Sequence, residues 1–222
     1  MTSTLERDGF AIVRGVLSAA AREALLLALG DASGAGRRGL LGVPAVRALA
    51  RSAALLDLVA PALPGGEPRP VRAILFDKSP AANWLVPWHQ DVTIAVRERR
   101  EVEGFGPWSV KDGLPHVQPP ADLLARMLAV RLHLDDCDDS NGALRVLPGS
   151  HREGRLDPRR IAGLRAATAE VLCEAAAGDA LLMRPLLLHA SGKSASDRRR
   201  RVLHIEFCAA DLPGGLAWHD GA

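Results

Sequence analysis

"VPWHQDVTIAV", residues 86–96, has the apolar character of a buried strand, yet it sets a histidine and an aspartate one residue apart. In a strand, residues two apart point to the same face. His89 and Asp91 therefore project together, and Gln90 turns the other way. Two ionisable groups in an apolar wall cost free energy unless something takes up their lone pairs. A His-x-Asp pair has two readings, a hydrogen-bonded couple or two cis ligands of one metal ion. The pair alone does not separate them.

Around this stretch, short apolar runs recur, each bounded by Gly, Pro, Asp or Asn: "VRAILF", "VTIAV", "MLAVRLHL", "GALRVLP", "AEVLCEAAAGDALLMRP", "LLLHAS" and "RRVLHIEF". That rhythm predicts an all-β sandwich or barrel rather than alternating βαβ units. Ahead of it, "FAIVRGVL" reads as a short strand and turn. "SAAAREALLLALG" reads as a helix with Ser18 as N-cap and Gly30 as its close. "AVRALARSAALLDLVAPAL" is a second helical segment, stopped by Pro61 and Pro64. Residues 97–120, "RERREVEGFGPWSVKDGLPHVQPP", are polar and turn-rich and read as a long loop, of the kind that carries function in compact domains. The expected organisation is one domain over 1–222, with a helical part over 1–65, a barrel core over 70–210 and a loop or lid at 97–120.

Charge excludes some partners. With 28 basic and 26 acidic residues the formal net charge is +2, which gives no electrostatic case for nucleic acid. No apolar run reaches the roughly 20 residues a membrane helix needs, and no signal peptide is evident. Cys137, Cys173 and Cys208 lie far apart in no metal-ligand spacing. Small buried thiols in a cytoplasmic protein are the expectation. No obligate protein partner is evident.

The metal reading of His89 and Asp91 gains from "LLLHASGKSASDRRRRVLHIEF" near the other end of the chain. It ends one strand in His189, passes a small polar turn, and enters another strand at the arginine run. Two imidazoles and one carboxylate leave three positions open on one side of an octahedral ion, as in non-haem Fe(II) oxygenases. Arg200 is placed to return antiparallel beside His189, and a guanidinium fork matches a carboxylate bidentately. Ser191 could add a hydroxyl to the same anion. Arg198 and Arg199 read as a solvated strand edge, which leaves Arg200 or Arg201 for the anion.

Together, "WHQD", "NGALRVLPGSH" at 141–151 and "HASGKSASDRRRRVLHIEF" resemble the phytanoyl-CoA dioxygenase family of Fe(II)/2-oxoglutarate oxygenases. The resemblance spans roughly residues 70–210. It implies a double-stranded β-helix, or jelly roll, with flanking helices. By position it makes His89, Asp91 and His189 the iron ligands, and Arg200 and Ser191 the grip on the distal carboxylate of 2-oxoglutarate. Fe(II), 2-oxoglutarate and O₂ are then the cofactor and co-substrates, and succinate and CO₂ are released. With Asp91 present, hydroxylation or desaturation of a small molecule is favoured over halogenation. Where family members commonly carry a tryptophan lining the co-substrate pocket, this chain has Arg131. Arg131 and His133 share a strand face, as a second anchor for 2-oxoglutarate, as a contact for an anionic substrate group, or in an ion pair with the "DDCDD" acids. His151 is expected to pack a loop and His204 to lie on the face of Arg200, while His116 reads either as solvent-exposed or as touching substrate where the loop covers the mouth. Trp84, Trp88 and Trp108 are expected in core or lid packing. Two rivals remain open: a cupin-type metalloenzyme without 2-oxoglutarate, and a binding module that has lost catalysis.

Overall fold

The computed structural model describes residues 1–31, 36–63 and 65–219. Pro64, expected as a helix stop, lies outside the described residues. Strands alternate their side chains between two faces, and here both faces of the principal sheet are covered. Five antiparallel strands form it, in the order β1 (Phe10–Val13), β10 (Ala180–Met183), β7 (Met127–His133), β12 (Arg200–Cys208) and β2 (Arg69–Lys78). A second sheet faces it, in the order β3 (Val86–His89), β11 (His189–Ser191), β8 (Leu144–Val146) and β9 (Val171–Cys173). This is the double-stranded β-helix anticipated from the motifs.

Parity along β12 divides the core. Leu203, Ile205 and Phe207 point outward and pack on the helical N-terminal part, where they meet Leu25, Val46, Leu55 and Val59. Arg200, His204 and Glu206 point into the barrel on the alternate positions. Apolar filling of the interior comes from Ala129, Leu144, Val146, Leu181, Met183 and Leu187. One wall is thus waterproofed by helices while the interior keeps polar groups near the mouth.

The helices follow from local chemistry. In α1 (Thr2–Asp8), Gly9 closes the helix at φ 84°, a conformation that suits glycine. The Ser18 hydroxyl caps α2 (Ala19–Leu29) by accepting from Ala21 N at 3.2 Å, and Gly30 closes it, as expected. The single helical segment expected over 45–63 is two helices, α3 (Pro44–Ala50) and α4 (Ala53–Val59). Ser52 is the cause: its hydroxyl donates to Leu49 O at 2.7 Å and accepts from Leu55 N at 3.4 Å, ending one helix and capping the next. Pro61 sits in the short 3₁₀ turn Ala60–Ala62 that follows.

Two segments differ from the sequence reading. Residues 97–120 are not loop throughout, because β5 (Trp108–Lys111) and β6 (Leu114–Val117) form a hairpin that joins β4 (Ile94–Ala95) in a third sheet. Asp112 and Gly113 make its turn with φ of 50° and 78°, and Asp-Gly is a strong two-residue hairpin signal. Alternation within "WSVKDGLPHV" was masked by its polar neighbours. Residues 158–167, assigned to nothing by pattern, form α6 (Pro158–Ala167) after α5 (Ala121–Ala125). Asp157 caps α6 by accepting from Arg159 N and Arg160 N at 2.8 and 2.9 Å, and Pro158 takes its first position. All three cysteines are free and buried.

Phe207 is fully buried between sheet and helices. Phe207→Ala is expected to lower the unfolding free energy by about 3–5 kcal/mol. Val110→Ala at the exposed hairpin should stay within about 0.5 kcal/mol. Urea unfolding followed by circular dichroism checks both, and equal effects would contradict the assigned core.

Candidate metal and anion site

β3 and β11 pair antiparallel with His89 directly opposite His189, so chain segments distant in sequence deliver their imidazoles to one spot. The two rings lie 4.2 Å apart between centroids. Each Nδ1 bonds the carbonyl two residues back, His89 to Pro87 O and His189 to Leu187 O, both at 2.8 Å. A carbonyl only accepts, so each Nδ1 carries the proton and each Nε2 offers a lone pair. The Asp91 carboxylate lies 3.8 Å from His89 Nε2 and 3.7 Å from His189 Nε2. One ligand atom from each of the three residues falls within 4.8 Å of the others.

Gln90 explains how Asp91 is aimed. Its side chain turns away from the site, as alternation requires, donating to Leu186 O at 2.6 Å and Gly154 O at 2.8 Å and accepting from Leu156 N at 2.9 Å. Asp91 N donates to Pro185 O at 2.9 Å. Burial alone would raise the Asp91 carboxyl, but His189, His204, His89 and Arg72 outweigh it and hold it well below the usual carboxylate range. Burial, opposed by Asp91, pushes His189 down to about 4. At neutral pH Asp91 is therefore a carboxylate and His189 an unprotonated imidazole, forms that ligate a divalent ion.

Beside this triad the pocket is cationic. Lys78 is fully buried, and its Nζ donates to Ser191 Oγ at 2.7 Å and also to Gly192 O. Ser191 Oγ donates to Gly142 O at 2.9 Å, and Arg200 Nη1 donates to the same carbonyl at 2.5 Å. Arg131 donates to His204 Nδ1 at 3.2 Å and lies over the Phe76 ring at 5.2 Å. Among the described residues no carboxylate pairs with Lys78, Arg131 or Arg200, and the buried Nε atoms of both arginines have no hydrogen-bond partner. Uncompensated buried cations cost several kcal/mol each, so this wall is built for an anion. Burial, with Arg200 and Arg131 adding, brings Lys78 down to about 7. Lining the same pocket are His89, Asp91, His189, Ser191, Arg131, Arg200 and His204.

Every site residue singled out in the sequence thus reaches one pocket, but some assignments change. Arg131 does not pair with the acids at 135–139: Arg201 takes Asp135 at 2.7 Å and Arg198 takes Asp138 at 2.5 Å. Arg199 is not a free edge residue, since it bonds the buried Asp77 at 2.6 Å. His116 is buried, not exposed. His151 packs against Gly9 as a loop residue should, and His204 bonds Glu206 as well as Arg131. Trp84 lines the pocket, whereas Trp88 and Trp108 stack with Arg165 and Arg99. Lys78 and Arg72 were missed. Their signal was present, because "RAILFDK" places Arg72, Ile74, Phe76 and Lys78 on one strand face.

A jelly roll whose mouth gathers two imidazoles and a carboxylate defines a cupin-like metalloprotein class. The sequence model of the phytanoyl-CoA dioxygenase (PhyH) family matches residues 5–202, and the chain belongs to that family. It is 29% identical over 147 residues to L-proline trans-4-hydroxylase of Streptomyces griseoviridis, an alignment covering 54% of this chain and 47% of the hydroxylase. The match therefore spans about half the length of that curated relative. Among solved structures, AviO1 from Streptomyces viridochromogenes Tue57 superposes with a TM-score of 0.66 at 24% identity, covering 96% of both chains. EctD from S. alaskensis, crystallised with 2-oxoglutarate and 5-hydroxyectoine, gives 0.71 at 20% identity, covering 94% of this chain and 74% of that one. SnoN, described as a non-heme alpha ketoglutarate dependent epimerase from nogalamycin biosynthesis, gives 0.68 at 23%, covering 96% and 86%. At these identities the likeness is one of fold.

Asp91→Ala should lower Mn(II) affinity, measured by calorimetry, by more than the roughly 10–100-fold that loss of an outer partner costs, while the chain stays folded. Unchanged Mn(II) binding would remove Asp91 from the ligand set.

Proposed function

We propose that the protein is a non-haem Fe(II)- and 2-oxoglutarate-dependent dioxygenase that hydroxylates or desaturates a small organic molecule, releasing succinate and CO₂. One observation carries this reading: two imidazole lone pairs and a carboxylate converge within 4.8 Å beside a buried cation cluster that, among the described residues, no carboxylate neutralises. His89, Asp91 and His189 would hold the iron, which supplies with O₂ and the keto acid the oxidising chemistry that cleaves a C–H bond. Arg200, Lys78 and Ser191 grip the far carboxylate, and Arg131 adds positive charge facing the metal ligands. Phe76, Ile74, Leu144 and Trp84 form the apolar walls that shed water from the site. Asp91 fills the carboxylate position, which leaves no place for a halide ligand.

The named activity of the curated relative, hydroxylation of L-proline, supports a small polar acceptor. On this reading the whole chain, 1–222, works as one domain, and the segment 97–120 covers the mouth. It acts in the cytoplasm, which three free and buried thiols support. No helix among the described residues is long and apolar enough to cross a membrane.

Mixing Fe(II), 2-oxoglutarate and protein without O₂ should give a visible charge-transfer band, and admitting O₂ should give succinate. Absence of both would leave a metalloprotein that does not use the keto acid. Arg200→Ala should raise the 2-oxoglutarate concentration needed for the band by about 10–100-fold, as loss of one charge-assisted anchor of about 1.5–3 kcal/mol implies. An unchanged requirement would move the anchor to Lys78 or Arg131.

Lys78 makes binding depend on pH. A bound carboxylate favours the ammonium form, so the Lys78 pKa rises on binding from its free value of about 7. Affinity is therefore full below pH 7 and falls as pH rises above it. Calorimetry near pH 8 in buffers of differing ionisation enthalpy should show proton uptake with 2-oxoglutarate, abolished in Lys78→Met. Uptake that persists in the variant would assign it to another group.

A further inference from the structure

Two positions from Asp91, Thr93 meets another cation, Lys111, that no carboxylate pairs with among the described residues. β5 and β6 pair Ser109 with His116 and Lys111 with Leu114, and β4 sets Ala95 against His116. Parity therefore puts Ser109, Lys111 and His116 on one face of this small sheet. The opposite face, with Ile94, Val117 and Trp108, seals an apolar cluster. On the polar face Lys111 Nζ reaches Thr93 Oγ1 at 3.0 Å, and Thr93 follows Asp91 by two positions. Among the described residues no carboxylate pairs with Lys111. Arg38, its neighbour, is already bonded to Asp112 at 2.6 Å, and Arg72 is bonded to Glu206. His116 donates from Nδ1 to Leu114 O at 3.0 Å, which leaves its buried Nε2 without a partner. Burial holds the Lys111 ammonium below its ordinary range, with Arg72 and Arg38 adding and Asp91 and Glu206 opposing. The Lys111 side chain is half-buried and reaches Thr93.

Charge bookkeeping points the same way. Arg72, Arg131 and Arg200 line the pocket with Asp91, Lys78 donates to the pocket's Ser191 and Lys111 to Thr93, and among the described residues the acids facing them are Asp91 and Glu206. A divalent ion and a dianionic keto acid cancel one another, so the excess of positive charge survives the binding of both. Desolvated positive charge left over after cofactor and co-substrate are in place must be met by the remaining ligand.

We propose that the oxidised substrate is an acid, whose carboxylate or phosphate is held by Lys111 on the face shared with Thr93 and His116. This rests on the dioxygenase reading above and adds the substrate class. Arg72 is neutralised by Glu206, so Lys111 supplies the charge that meets this group. The anion site lies on the hairpin, on the side of Asp91 away from the 2-oxoglutarate grip, so the two acids do not compete for one arginine.

The chain has three lysines, Lys78, Lys111 and Lys193, and that small number makes a direct test possible. Protein labelled with [ε-¹³C]lysine and loaded with diamagnetic Zn(II) gives three resonances, assigned by their loss in Lys78→Met, Lys111→Gln and Lys193→Gln. Adding 2-oxoglutarate should move the Lys78 signal. Propionate or inorganic phosphate, added next, should shift the Lys111 signal saturably and leave Lys193 in place, and uncharged propionamide should move neither. The anion that saturates at the lower concentration identifies the acid. A Lys111 signal that ignores both anions, or that responds as strongly to propionamide, overturns the proposal. A silent Lys78 would instead count against the co-substrate reading, and the Lys111 titration would still be judged on its own.

Discussion

The pairing of β3 with β11 is the constraint on which the site depends. It joins residues 86–89 to residues 189–191 and sets His89 against His189, so imidazoles from remote segments meet without any loop having to place them. A slip of one residue in either strand would turn one ring to the opposite face. Three hydrogen bonds from the Gln90 side chain guard against such a slip at the point where β3 ends and Asp91 begins. The geometry of the His89, Asp91 and His189 cluster is a property of sheet register.

Electrostatics in the barrel are organised by the second wall. β2 and β12 contribute alternate inward positions, Arg72 to Lys78 on one strand and Arg200 to Glu206 on the other. Toward one end these positions neutralise each other, as Arg72 pairs with Glu206, and His204 links that pair to Arg131. Toward the other end they do not: among the described residues no carboxylate pairs with Lys78 or Arg200, which donate to backbone carbonyls and a serine hydroxyl. The unbalanced, cationic end lies beside His89, Asp91 and His189. The conformation of Gly142 makes this closeness possible: a side chain there would come within 2.7 Å of Gly192 O and 3.1 Å of Lys78 Nζ.

Much of this was legible in the sequence because the chemistry is local in pattern even when it is remote in space. His89 and Asp91 declared a shared face by strand alternation, and the resemblance of three ordered motifs supplied His189, Arg200 and Ser191. What escaped has physical reasons. Lys78 and Arg72 sit in an apolar run whose charged members look like strand ends, and only the pairing with β12 shows that they face inward. The hairpin at 108–117 was hidden by proline and by charged flanks, although Asp112-Gly113 marked its turn. α6 was hidden by its weak apolar stripe, although Asp157-Pro158 marked its start. Arg199 looked solvated because its partner, Asp77, is distant in sequence.

The proposed co-substrate grip bridges two walls: Lys78 and Arg200 come from one sheet, and Ser191, Gly142 and Gly192 from the other or its connections. The imidazoles stand on that second sheet alone. The gap between walls, set by Leu144, Leu181 and Met183 in the interior, therefore acts as a calliper for how long a keto diacid can reach from ion to clasp. On the proposed reading, selectivity among homologous diacids would be written into this hydrophobic filler.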